Sequence, residues 1–103
     1  MSNDDFLNKI YAEVKALGLA SNQYDFSIMC GRTAAWFSAI KARQLPMTAD
    51  AFLTLSFNIK RKAKMMIDPK GHSAAMRLCD RLIEEAQKRA GEKAARVFGY
   101  ALD

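Results

Sequence analysis

The chain predicts an all-α fold of five or six helices with no sheet. Three observations carry that reading. Apolar residues recur at three- and four-residue steps in every segment, the period of a half-buried helix. The interruptions fall only at Gly18, Gly31, Pro46, Pro69–Gly71 and Gly91. Half of the 103 residues are hydrophobic, which supplies one small core for one domain.

Residues 4–17 form the first predicted helix, with Phe6, Leu7, Ile10, Tyr11, Val14 and Leu17 along one stripe. Ser2 or Asn3 is placed to cap it, and Asp4 and Asp5 suit its positive end. Gly18 ends it, and Leu19 is positioned to fold back on Val14. Ser21 and Asn22 then open a short helix from Gln23 to Cys30, with Asp25 in its first turn. Gly31 supplies a tight turn, where a positive φ costs glycine little. Thr33 is placed to cap the next helix, which runs to about Arg43. Phe26, Met29 and Cys30 face Phe37 and Ile40 across one buried seam, and the small Ser27 sits at the crossing. Trp36 divides between the core, beside Tyr24, and an outward contact. Two short helices joined this way predict a helix-turn-helix.

This stretch resembles the helix-turn-helix of lambda-repressor-like (Cro/C1-type) DNA-binding proteins. Ser27, Gly31 and the apolar pair Phe37 and Ile40 fall at the spacing of that family's motif. Gln23 matches a glutamine that opens the first motif helix there and holds a backbone phosphate. The resemblance covers roughly residues 4–66 and extends to small bacterial proteins of this type. Arg32 and Trp36 depart from it, standing where an apolar and a small polar residue are usual. The resemblance implies a DNA-binding domain, and the break at Asp68–Gly71 bounds it as a four-helix unit over residues 1–67, followed by a C-terminal helical segment over 68–103 for packing or dimerisation.

A fourth helix follows Gln44-Leu45-Pro46, with Thr48 as cap. Ala51, Phe52, Leu55 and Ile59 give its inward stripe, with Leu53 and Phe57 beside it. It ends in the run Lys60, Arg61, Lys62, Ala63, Lys64. Asp68-Pro69-Lys70-Gly71 reads as a loop that holds His72 at its end. Ser73 then caps a helix to about Ala90, with Ala75, Cys79, Leu82 and Ala86 on its stripe and Met76, Leu78 and Ile83 widening it. Glu84–Lys88 and Glu85–Arg89 pair at four-residue spacing on the solvent side. Gly91 interrupts, and a last short helix carries Ala95, Val97, Phe98 and Leu102. The stripe on these last helices either packs on the first domain or joins two copies in a homodimer centred on Leu82.

The net charge of +5 is unevenly placed. Residues 1–30 carry −2, residues 31–64 carry +6 and residues 65–103 carry +1. A localised basic region suits a polyanion. The candidate DNA contacts are Gln23, Arg32, Thr33, Ala34, Ala35, Trp36, Ser38, Lys41 and Arg43, with Lys60, Arg61, Lys62 and Lys64 reaching phosphates. The alanines can meet only thymine methyls, and the hydroxyls discriminate little. The expected function is a sequence-specific regulator of transcription that binds double-stranded DNA with residues 33–43 in the major groove, as a dimer. The alternative is a protein-interaction module, an inhibitor or adaptor, on the same scaffold.

No cofactor, metal or enzymatic site is expected. Cys30 and Cys79 lie in apolar helical patterns and read as buried free thiols, and His72 stands without a partner ligand. No phosphate-binding glycine loop, activated nucleophile or carboxylate cluster is present. The acidic N-terminus is unlike a signal peptide, and no run spans a membrane. A cytoplasmic, nucleoid-associated protein is the expectation.

Overall fold

Each predicted stripe lies on a helix as far as the described residues reach. A computed structural model describes residues 5–98, with side chains from 6 to 92. Its order is α1 (Asp5–Ala16), α2 (Gln23–Met29), α3 (Trp36–Ala42), α4 (Ala49–Ala63) and α5 (Pro69–Phe98). No strand occurs among the described residues. The proposed cap of α1 by Ser2 or Asn3 lies outside them.

Three of the helices stop by the same device. After α1, the Leu19 N–H donates back to the Val14 carbonyl at 3.0 Å, with Gly18 at φ 74° between them. After α2, the Arg32 N–H donates to the Ser27 carbonyl at 3.0 Å around Gly31 at φ 77°. After α3, the Leu45 N–H donates to the Ile40 carbonyl at 2.8 Å around Gln44 at φ 53°. This hydrogen-bonded reversal satisfies carbonyls that a helix end leaves open. At Gly31 a second constraint applies: a Cβ there would lie 2.9 Å from Thr54 Cγ2 on α4.

The starts are equally explicit. Asn22 Oδ1 accepts the Asp25 N–H at 2.9 Å, and the Asp25 carboxylate accepts the Ser21 N–H at 3.0 Å. Thr48 caps α4 as expected, its Oγ1 accepting from the Ala51 N–H at 3.3 Å. Thr33 does not cap α3. The chain from Thr33 to Ala35 forms a turn, with the Trp36 N–H donating to the Thr33 carbonyl at 3.0 Å, and α3 starts three residues later than expected.

The break expected at Pro69–Gly71 falls just before it, over residues 64–68, and α5 starts at Pro69; the break expected at Gly91 is corrected, since α5 runs through it. Proline is tolerated in the first helical turn because its missing N–H had no partner to lose. Asp68, not Ser73, is the cap, accepting the N–H groups of Lys70 at 3.3 Å and Gly71 at 3.2 Å. An interior glycine costs about 1 kcal/mol, which a long helix anchored along its inner stripe can absorb.

One core joins all five helices. Leu7, Ile10 and Val14 from α1, Phe26 from α2, Phe37 from α3 and Phe52, Leu55 and Ile59 from α4 are buried in it. Tyr11, Phe26 and Phe37 meet as rings, with centroids 4.8–5.2 Å apart. The inner stripe of α5, namely Ala75, Leu78, Cys79, Leu82 and Ala86, is buried in the same core. The apolar surface that a dimer would have used is thus spent inside one chain, and Leu82 is fully buried. The described side chains of α5 thus share the core of the helices before it. The part of the assembly surface at Phe98 and Leu102 lies outside the described side chains. Leu53, Phe57 and Ile83, expected at the edge of their stripes, are exposed.

Candidate nucleic-acid interface

The crossing of α2 and α3 is built around Ser27. Its hydroxyl donates to the Gln23 carbonyl at 2.9 Å and accepts the Phe37 N–H at 2.9 Å. The second bond satisfies a donor in the first turn of α3, a helix whose own N-cap, Ala35, offers no side chain. Ser27 on α2 therefore does for α3 what Thr33 was expected to do. Phe37 and Ile40 are the buried residues of α3, and Trp36 lies half-buried against the core. Tyr24 is exposed rather than packed in the core.

The sequence-predicted contacts divide into three groups. Thr33, Ala34, Ala35, Ser38, Lys41 and Arg43 are exposed on the turn and on the outer face of α3. Gln23 and Ser38 meet each other, the serine hydroxyl donating to Gln23 Oε1 at 2.8 Å. The Lys41 ammonium lies 5.2 Å from the Phe37 ring centroid, so its stem covers the core edge while the charge faces water.

Arg32 is held by α4. Its Nη2 lies 3.2 Å from Asp50 Oδ2 and 3.4 Å from Thr48 Oγ1, and its guanidinium stacks 5.9 Å from the Trp36 ring. Its Nε is buried without a hydrogen-bond acceptor. Arg32 and Trp36 thus form one local arrangement, an arginine clamped between a tryptophan and the start of α4.

The basic run ends α4. Lys62 Nζ donates to the Leu19 carbonyl at 2.7 Å, tying the α1–α2 connection to α4. Arg61 stacks 5.9 Å from the exposed Phe57 ring. Lys60 and Lys64 are exposed. This run flanks the outer side of α2: Arg61, Lys62 and Met65 share a groove with Asp25, Ile28 and Met29. Sequence reasoning missed this groove, and the exposed apolar positions Ile28 and Met65 were its signal.

Cys30 and Cys79 are buried free thiols. Burial pushes the Cys30 thiol up to about 12 and raises that of Cys79, whose Sγ donates to the Ser56 carbonyl at 3.4 Å. His72 is not in a loop but in the first turn of α5, with Nδ1 2.8 Å from the Ala63 carbonyl. Glu85 pairs with Arg89 at 2.7 Å and is half-buried rather than solvent-facing. Among the described residues, no three His, Cys, Asp or Glu side chains converge on a metal-sized site. Nor is any helix there long and apolar enough to cross a membrane.

The model of the Family of unknown function (DUF6626) matches residues 7–98, nearly the whole chain. The chain belongs to that family. Membership in DUF6626 spans all five helices, α5 included, in keeping with their single core. No curated protein and no solved structure matches the chain.

Proposed function

We propose that this member of DUF6626 is a helix-turn-helix protein that regulates transcription by docking on duplex DNA, with α3 against the major groove. The observation that carries the reading is the α2–α3 crossing. Ser27 locks one face of α3 to its scaffold, and the other face carries small or basic side chains, Ser38, Ala39, Lys41, Ala42 and Arg43. Such a face can approach a duplex closely without a bulky side chain in the way. The +6 charge of residues 31–64 supports a polyanionic partner.

Base reading from this face is narrow. Ser38 is engaged with Gln23, and Arg32 with Asp50. Most of the affinity would then come from phosphates, through Lys41, Arg43 and the exposed Lys60 and Lys64 at the end of α4, which position the protein without reading sequence. A dimer held by the α5 stripe has no place in this reading, because that stripe is buried.

Fluorescence anisotropy with a labelled duplex over a series of salt concentrations tests it. Binding is expected to weaken linearly in log–log form, with a slope of about −0.9 per neutralised phosphate. Lys41→Ala and Arg43→Ala should each flatten that slope by about one contact. Absence of binding at low salt would reject the proposal. It would favour the second reading, a protein-interaction module, for which the capture of Arg32 by Asp50 is the specific support.

A further inference from the structure

The outer side of α2 and the end of α4 enclose a groove of about 530 Å³. Its apolar lining is Ile28, Met29 and Met65, and its charged lining is Arg61, Lys62 and Asp25. We propose that this groove binds an acidic amphipathic helix of a partner protein. The proposal goes beyond DNA docking and does not depend on it.

The lining is apolar yet open. Ile28 is 57% exposed and Met65 84%, so neither serves the core. Arg61 extends this surface along α4 by stacking on Phe57, itself 63% exposed. Large side chains left in water at one place mark a surface that something covers. Methionine thioethers adapt to varied apolar partners, and an amphipathic helix presents anchors at matching three- and four-residue steps.

The walls are fixed in advance. Asn58 Nδ2 donates to the Met29 carbonyl at 2.7 Å, holding the end of α2 to α4. Lys62 Nζ holds the α1–α2 connection from the other side. A preformed groove reduces the ordering cost of binding.

The charge selects the occupant. Neither Arg61 nor Lys62, the cations that line the groove, has a carboxylate within ion-pair distance among the described residues. Asp25, the one acid in the groove, is already accepting the Ser21 N–H. Two cations without an acidic counter-ion, against a single acid, beside an apolar lining complement a helix with acidic flanks and apolar anchors. A nucleic-acid backbone would meet the cations but leave Ile28 and Met65 without an apolar partner.

The test is selection of displayed random peptides of about 15 residues, long enough to form a helix on binding, on the intact chain. Enriched sequences should place acidic residues around apolar ones at helical spacing. Synthesised and measured by anisotropy, they should bind Met65→Glu and Arg61→Glu about tenfold or more weakly than the parent. Ser38→Ala on α3 should bind them unchanged. Both groove positions are exposed, and unaltered thermal melts would confirm that the variants fold; a variant that failed to fold would be replaced by Ile28→Glu, read in the same way. No enrichment, enrichment of basic or neutral peptides, or binding indifferent to the groove substitutions would overturn the proposal. So would displacement of the peptide by a short duplex, which would assign this face to nucleic acid.

Discussion

Replacing Ser27 by alanine isolates the contact on which the α2–α3 crossing turns. Ser27 and Phe37 are both fully buried, so no water can take the hydroxyl's place at the Phe37 N–H. The substitution leaves that donor without an acceptor, and an orphaned buried donor costs about 1–3 kcal/mol. The loss to the Gln23 carbonyl is smaller, because a carbonyl has a second lone pair. A domain of this size shifts its melting temperature by about 4–8 °C per kcal/mol. Ser27→Ala should therefore lower Tm by at least about 4 °C and reduce the urea midpoint with unchanged slope. The control is Thr33→Ala, which removes the residue that sequence favours as the cap. Its hydroxyl caps nothing here, and the cost should stay within about 0.5 kcal/mol, as for an ordinary surface change. A larger loss at Thr33 than at Ser27 would refute the assignment of Ser27 as the donor's partner across the crossing.

Three further outcomes are expected. Leu82→Ala should lose about 2–5 kcal/mol in denaturant unfolding, the range for a buried leucine, while sedimentation of the folded variant matches that of the parent. Asp50→Asn should release Arg32 and strengthen duplex binding by more than Asp80→Asn, which removes the same charge from α5. The stability cost should remain at or below about 1 kcal/mol, since Asp50 is 79% exposed. The raised Cys30 thiol makes stability fall with rising pH. The folded state keeps its proton while the unfolded thiol loses it above about 8.5. The contribution is complete below that pH and is lost toward pH 12, by at most about 1.4 kcal/mol per pH unit. Urea titrations from pH 8 to 10 should show this decline, and Cys30→Ala should flatten it.

Much of the fold was legible because periodicity reports burial directly. The stripes on α1, α4 and α5 and the seam between α2 and α3 needed only spacing. Proline and glycine read as stops in a sequence, yet Pro69, Gly71 and Gly91 all lie inside α5. Pro69 sits where a helix has no N–H to lose, and Asp68 just before it was the cap to look for. Thr33 was favoured as a cap on residue type, but the partner of the α3 donor is ten residues away in sequence, and no local pattern encodes that. For the candidate site, the positive segment was readable as a sum of charges. That Arg32 is held by Asp50, and Lys62 by a backbone carbonyl, depends on tertiary placement. The groove beside α2 was hidden because Ile28 on a helix and Met65 just past one stand far apart in sequence until the neighbouring surface is assembled.

The pairing of α4 with α5 sets an order in time. These helices are neighbours in sequence, and two clasps close the pair: His72 on the Ala63 carbonyl at one end, Arg89 on the Met47 carbonyl at 3.1 Å at the other. Arg89 also lies 4.6 Å over the Phe52 ring, joining the second clasp to the core. Contacts between adjacent segments close short loops, and short loops form fastest. The α4–α5 hairpin is therefore the expected nucleus, onto which α1 and the α2–α3 unit condense. In the native state the same hierarchy runs backwards. Amide exchange should find α2 and α3 opening at lower free energy than the hairpin, as a separate cooperative unit. The face of α3 proposed to dock on DNA then belongs to the part of the molecule most easily remodelled by a partner.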